Sequence, residues 1–118
     1  MNDNKVTVQQ LKDAMAQFVT EREWDQFHVP KSISMALAVE AAELMQRFAW
    51  PSSTESWQTL DDYREHIEQE VADVLSLVLA FANACDIDLS SAFERKLAIN
   101  RQKYPVAKAK GKHDRDKM

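Results

Sequence analysis

Ile33-Ser34-Met35-Ala36-Leu37-Ala38-Val39-Glu40-Ala41-Ala42-Glu43-Leu44-Met45 and Glu70-Val71-Ala72-Asp73-Val74-Leu75-Ser76-Leu77-Val78-Leu79-Ala80-Phe81-Ala82 are apolar almost all the way round, yet each carries two acids three residues apart. Neither run holds glycine or proline, and both are rich in alanine and leucine, so both read as helices. Residues at i and i+3 lie about 60° apart around a helix, so each acid pair shares a face. A surface helix sets its charges opposite an apolar stripe, and these runs leave no such polar side. The acids are therefore expected to point into a largely buried place. An isolated carboxylate taken out of water costs on the order of tens of kcal/mol, so it must be neutralised, paired or metal-bound. Four converging carboxylates call for a cation.

Outward from these runs, the chain punctuates itself sparsely. Glycine occurs once, at Gly111, and proline three times, at Pro30, Pro51 and Pro105, so the fold class is all-α. Thr7 is the expected N-cap of a first helix reaching about Gln26, with Val8, Leu11, Met15, Phe18 and Val19 as its buried stripe. Pro30 makes Val29 extended. Ser32 is the expected cap of a second helix that runs to about Trp50 and stops before Pro51. Residues 51–56 read as a loop. A third helix is expected from about Leu60 or Asp61 to Ala84. Asp88 or Ser90 then caps a fourth that reaches about Lys103, and Pro105 closes it. Residues 1–105 are expected to form one helical domain, and 106–118 a mobile basic tail.

With 118 residues, one domain is the simplest expectation. The formal net charge of −4 points away from a general nucleic-acid binder. A single cysteine, Cys85, excludes an internal disulfide framework and suits a reducing compartment. The start lacks the apolar core of a signal peptide, and the longest apolar run is too short to span a bilayer. The expectation is a soluble cytoplasmic protein.

Glu40-x-x-Glu43 and Glu70-x-x-Asp73 on antiparallel helices give an all-oxygen site of the kind Mg²⁺ and Mn²⁺ favour. Di-iron bundles use Glu-x-x-His pairs, which this chain lacks. The competing account makes the acids surface groups or partners of Arg47 and Arg64. On the fourth helix, Lys96, Asn100 and Lys103 share one face and can hold phosphate oxygens, or form a solvated basic stripe. Trp24 and Trp50 fall at helix ends, where an indole can stack on a nucleobase or simply pack. His28 can touch base or phosphate, and Lys31 lies at the start of the second helix. Met15, Met35 and Met45 read as core filler.

Glu-x-x-Glu, a gap of 26 residues, then Glu-x-x-Asp resembles the MazG-like branch of the all-α NTP pyrophosphatases. Glu21-Arg22-Glu23-Trp24-Asp25-Gln26-Phe27-His28-x-Pro30-Lys31, Phe48-Ala49-Trp50 and Lys96-x-x-x-Asn100-Arg101-x-Lys103-Tyr104-Pro105 extend the likeness to the dCTP pyrophosphatase subgroup, from about Leu11 to Pro105. The resemblance implies a four-helix bundle completed by oligomerisation, as a homodimer or dimer of dimers. It implies a nucleoside triphosphate cut to monophosphate and pyrophosphate, with Mg²⁺ held by Glu40, Glu43, Glu70 and Asp73. By the same likeness Lys96, Asn100, Lys103 and Tyr104 contact the triphosphate, and Trp24, His28 and Trp50 lie near the base. The chain departs from the pattern at Met15, where relatives in the subgroup carry a base-contacting histidine. It departs again at Ala41-Ala42, where the family has a small glycine.

Metal-assisted hydrolysis is the expected chemistry, with Glu43 or another of the four acids, Glu40, Glu70 or Asp73, as general base. The apolar faces of helices two and three exceed what one chain can cover, which independently points to self-association. The other readings are a non-catalytic helical partner module and a pyrophosphohydrolase acting on a phosphoribosyl nucleotide.

Overall fold

The structure, a computed structural model, describes residues 1–112. All regular structure among them is helical: α1 Val8–Glu21, a 3-10 turn Asp25–Phe27, α2 Pro30–Gln46, α3 Ser56–Asp62, α4 Arg64–Ala84, α5 Leu89–Lys103 and α6 Val106–Ala109. The chain divides after Asp86 into two compact units, Met1–Asp86 and the residues from Ile87 on. Of the stretch read as a mobile tail, residues 106–109 are helical, and 113–118 lie outside the described residues.

α1 begins where its capping chemistry puts it. Thr7 Oγ1 accepts from the Gln10 N–H at 3.1 Å and Gln10 Oε1 accepts from the Thr7 N–H at 2.7 Å, a reciprocal capping box. The helix stops at Glu21, short of the expected Gln26. Glu23 turns left-handed at φ 53°, while the N–H of Trp24 bonds to the Val19 carbonyl and that of Glu23 to the Thr20 carbonyl, each at 3.0 Å. This is a Schellman stop in which glutamate stands in the place usually given to glycine. The Trp24 indole then meets the Phe18 ring edge-on at 5.8 Å, and the Arg22 guanidinium covers the Phe18 ring at 3.7 Å.

α2 starts two residues before the expected Ser32 cap. Val29 is the N-cap without a side-chain bond, and Pro30 occupies the first turn, where its fixed φ is already helical and its missing N–H costs nothing. The helix ends at Gln46, and residues 47–50 leave it through turns.

The third expected helix is two. α3 and α4 meet at Tyr63, whose φ of −124° and ψ of 26° interrupt the helical run. α4 is the central element: it packs most extensively on α2, then α1 and α3. Its buried residues Ile67, Leu79, Ala80 and Ala82 point in several directions around its axis, as a helix with neighbours on more than one side requires. Asn83 Nδ2 donates to the Lys12 carbonyl at 2.9 Å and ties α4 to α1. α4 closes at Asp86, left-handed at φ 56°. In the second unit, Asp88 caps α5 by accepting from the Ser91 N–H at 2.9 Å, as its position suggests.

Candidate functional site

The two acid pairs lie on the two helices that pack most closely, Glu40 and Glu43 on α2, Glu70 and Asp73 on α4. Their burial is uneven, and this corrects the expectation of four buried acids. Glu40 and Glu70 are half-buried, whereas Glu43 and Asp73 are exposed. The reason is that much of the apolar surface beside them has no cover in the single chain: Met35, Val39, Met45, Val71 and Leu75 are all exposed.

Glu40 Oε2 and Glu70 Oε2 are sealed from solvent without a hydrogen-bond partner among the described residues. Such atoms are uncommon in native proteins and usually mark an ion, a water or a functional group. The Glu40 carboxyl is held above the usual carboxylate range, first by burial, then by a hydrogen bond to Glu43 and by the charges of Glu43, Asp73 and Glu70. All four acids thus share one electrostatic neighbourhood. Among the described residues, no three His, Cys, Asp or Glu side chains stand in metal-holding geometry. One acid is already engaged: Glu70 Oε1 accepts from Arg47 Nε at 3.0 Å. The Arg47 guanidinium also lies over the Tyr63 ring, 5.4 Å from its centroid. The donor set itself fits a hard divalent cation, being all carboxylate, mutually repelling, and holding two buried oxygens with nothing to bind.

Two clefts in the first unit are lined by these acids, and a third adjoins them. One of about 470 Å³ is lined by Glu43, Gln46, Arg47 and Glu70. A second, about 480 Å³, has Glu40, Asp73 and Ser76 among apolar walls that include Met15, Phe18 and Leu77. A third, about 270 Å³, is lined by Trp24, Phe27, His28, Ser32, Ile33, Ala36 and Leu77. Leu77 borders both the second and the third, so the acid-lined cleft adjoins an aromatic one. Trp24 and His28 line the same cleft. Lys31 and Trp50 line none of the three, and Trp50 is 92% exposed.

Lys96, Asn100 and Lys103 lie on α5, and Tyr104 is its C-cap, all within the second unit. The Tyr104 N–H bonds to the Asn100 carbonyl at 2.8 Å, and Lys103 Nζ is 5.5 Å from the Tyr104 ring centroid. Lys96 and Lys103 are exposed, Asn100 half-buried.

Sequence reasoning overlooked Phe18, Ser76 and Leu77 as cleft residues and gave Met15 to the core. Helical spacing was the available signal: Ser76 follows Asp73 by three residues and Leu77 by four, on the same side of α4. Arg47 entered only as a competing partner for the acids, and among the described residues the structure bears that out for Glu70 alone.

A sequence model of the MazG-like family matches residues 35–115. The dCTP pyrophosphatase 1 of Mus musculus is 37% identical over 109 residues, covering 89% of this chain and 63% of that protein. The Homo sapiens dCTP pyrophosphatase 1 is 35% identical over 104 residues, covering 85% and 60%. The chain thus spans about three fifths of the length of the curated relatives it matches. The crystal structure of a pyrophosphatase from Archaeoglobus fulgidus is similar with a TM-score of 0.81 and 31% identity, covering 89% of this chain and 98% of that one.

Proposed function

The chain belongs to the MazG-like family, and from that premise we propose that it is a nucleoside triphosphate pyrophosphohydrolase, releasing pyrophosphate and a nucleoside monophosphate, with a role in clearing unwanted nucleotides. The observation that carries the reading is the shared field of Glu40, Glu43, Glu70 and Asp73 across α2 and α4, with two of their oxygens buried and unpartnered. The relatives named for dCTP pyrophosphatase and pyrophosphatase activity support it.

Glu40, Glu43, Glu70 and Asp73 would hold Mg²⁺ or Mn²⁺, which when bound supplies charge neutralisation for the polyphosphate and acidifies water. Glu43, exposed at the edge of its cleft, is the proposed general base that takes a proton from the attacking water. Its reach to solvent suits a group that must pass that proton on. Lys96, Asn100, Lys103 and Tyr104 are assigned to the triphosphate, where ammonium groups offset the charge that builds on departing pyrophosphate. Trp24, Phe27 and His28 wall the cleft assigned to the base, and flat rings there offer stacking to a flat ligand. Lys31 and Trp50 are placed in the substrate-binding set from the sequence, although neither lines the three clefts.

The exposed apolar surface of α2 and α4 supports a homo-oligomer, a dimer or dimer of dimers, in which a second copy covers Met35, Val39, Val71 and Leu75. Among the described residues, no helix is long and apolar enough to cross a membrane.

The test is a panel of nucleoside triphosphates with Mg²⁺, read by pyrophosphate release. Turnover of at least one nucleotide is expected, and Asp73→Asn should lower it at least about 100-fold with helicity unchanged, since removing a residue that merely supports a metal ligand already costs about 10–100-fold. Absence of pyrophosphate from every nucleotide, or an Asp73→Asn variant as active as the parent, refutes the proposal.

A further inference from the structure

Arg47 stands out among the basic residues near the acids because it already holds one of them. Its Nε donates to Glu70 Oε1 at 3.0 Å, with the two side chains 31% and 17% exposed. Its guanidinium rests over the Tyr63 ring, at the break between α3 and α4 that positions that ring. Arg47 and Glu70 both line the same cleft as Glu43. The second oxygen of Glu70 is buried and makes no hydrogen bond. A guanidinium that bonds one carboxylate oxygen and leaves its neighbour orphaned occupies only part of what Glu70 has to offer.

Without a cation, four acids are crowded on two packed helices, and two of their oxygens are buried with no hydrogen-bond partner among the described residues. Arg47 is the group that relieves this from within the fold. Arg47 sits on Oε1 and leaves Oε2 open, but a divalent ion at Oε2 would face the guanidinium's positive charge across a single carboxylate, so each cation weakens the hold of the other. A binding state that must first be freed from a competing one has its apparent affinity lowered by the fraction already free.

We propose that Arg47 is a built-in counter-ion that competes with the divalent cation for Glu70, steadying the metal-free fold and weakening cation uptake. It is a positioning residue, acting through Glu70. The proposal rests on the metal reading of the four acids, and its test separates the two.

The 118-residue chain, stripped of metal, is titrated with Mn²⁺ and followed by calorimetry, and its melting is recorded with and without saturating Mn²⁺. Arg47→Met should bind Mn²⁺ about two- to fivefold more tightly than the parent, the range expected for freeing a partly exposed ion pair. It should melt lower than the parent when metal-free and lose that deficit at saturating Mn²⁺. Arg64→Met measures what removing a nearby positive charge does through space, and its effect should be smaller. Arg47→Lys keeps the charge without the planar fork and should fall between parent and Arg47→Met, which also covers the case in which the methionine variant folds poorly. Mn²⁺ binding by Arg47→Met that is equal to or weaker than the parent's, or no tighter than that of Arg64→Met, overturns the counter-ion and leaves the metal reading standing. A parent chain that takes up no Mn²⁺ overturns both.

Discussion

Glu40 shows what a single residue must reconcile. It stands in an apolar run, half-buried, with a second acid one turn away and two more on the facing helix. Burial is the largest reason its carboxyl keeps its proton to higher pH than a free glutamate, and the hydrogen bond to Glu43 and the three neighbouring charges act in the same direction. The consequence for stability has a definite sign. Below the ordinary carboxylate range the group is protonated in both folded and unfolded chains and contributes nothing. As pH rises, the unfolded chain ionises first, so the metal-free fold loses stability until pH passes the raised folded value. Melting of the metal-free parent and of Glu40→Gln across pH 3–8 should therefore converge at the acid end. At neutral pH the glutamine variant should melt at or above the parent. A parent that gains on Glu40→Gln as pH rises would contradict the raised value.

At the scale of elements, helix ends account for the departures from the expected boundaries. α1 stops because Glu23 turns left-handed and lets the chain fold Trp24 back on Phe18. Nothing in Glu21-Arg22-Glu23-Trp24-Asp25 announces this stop, since all five are compatible with helix and no glycine marks the turn. A non-glycine residue pays for that conformation, so Glu23→Gly should raise stability, by about 0.5–1 kcal/mol, read as an upward shift in the melting midpoint. The opposite end of α1 is the better-specified one. Removing the reciprocal cap with Thr7→Ala should lower stability by about 1 kcal/mol in denaturant titration. The break at Tyr63 is a third case: the tyrosine fits a helix by propensity, and its ring instead lies beneath Arg47, a tertiary contact without a local signal. Sequence and structure agree at Thr7, and at Asp88 where Asp88 or Ser90 was expected, whereas the expected Ser32 cap gives way to Val29 and Pro30.

At the scale of the whole molecule, the apolar surface is the dominant fact. Met35 is 60% exposed, Val39 57% and Val71 50%, on the helices that carry the acids. An oligomer that covers them should be lost when a charge is placed there. Val39→Asp is expected to run as a smaller species than the parent by light scattering, with helical circular dichroism retained; an unchanged mass would remove this surface from the interface. The sequence by itself determined the helical class, the capped helix start at Thr7, a cap at Asp88 or Ser90, and the pairing of acids on helix faces. These follow from periodicity, propensity and side chains that bond their own backbone, all of which act within a few residues. Only the tertiary structure decided that Glu40 and Glu70 are half-buried while Glu43 and Asp73 are exposed, that Arg47 takes Glu70, and that Leu77 joins an acid-lined cleft to an aromatic one. Those depend on which helix covers which face, a matter of packing between residues far apart along the chain.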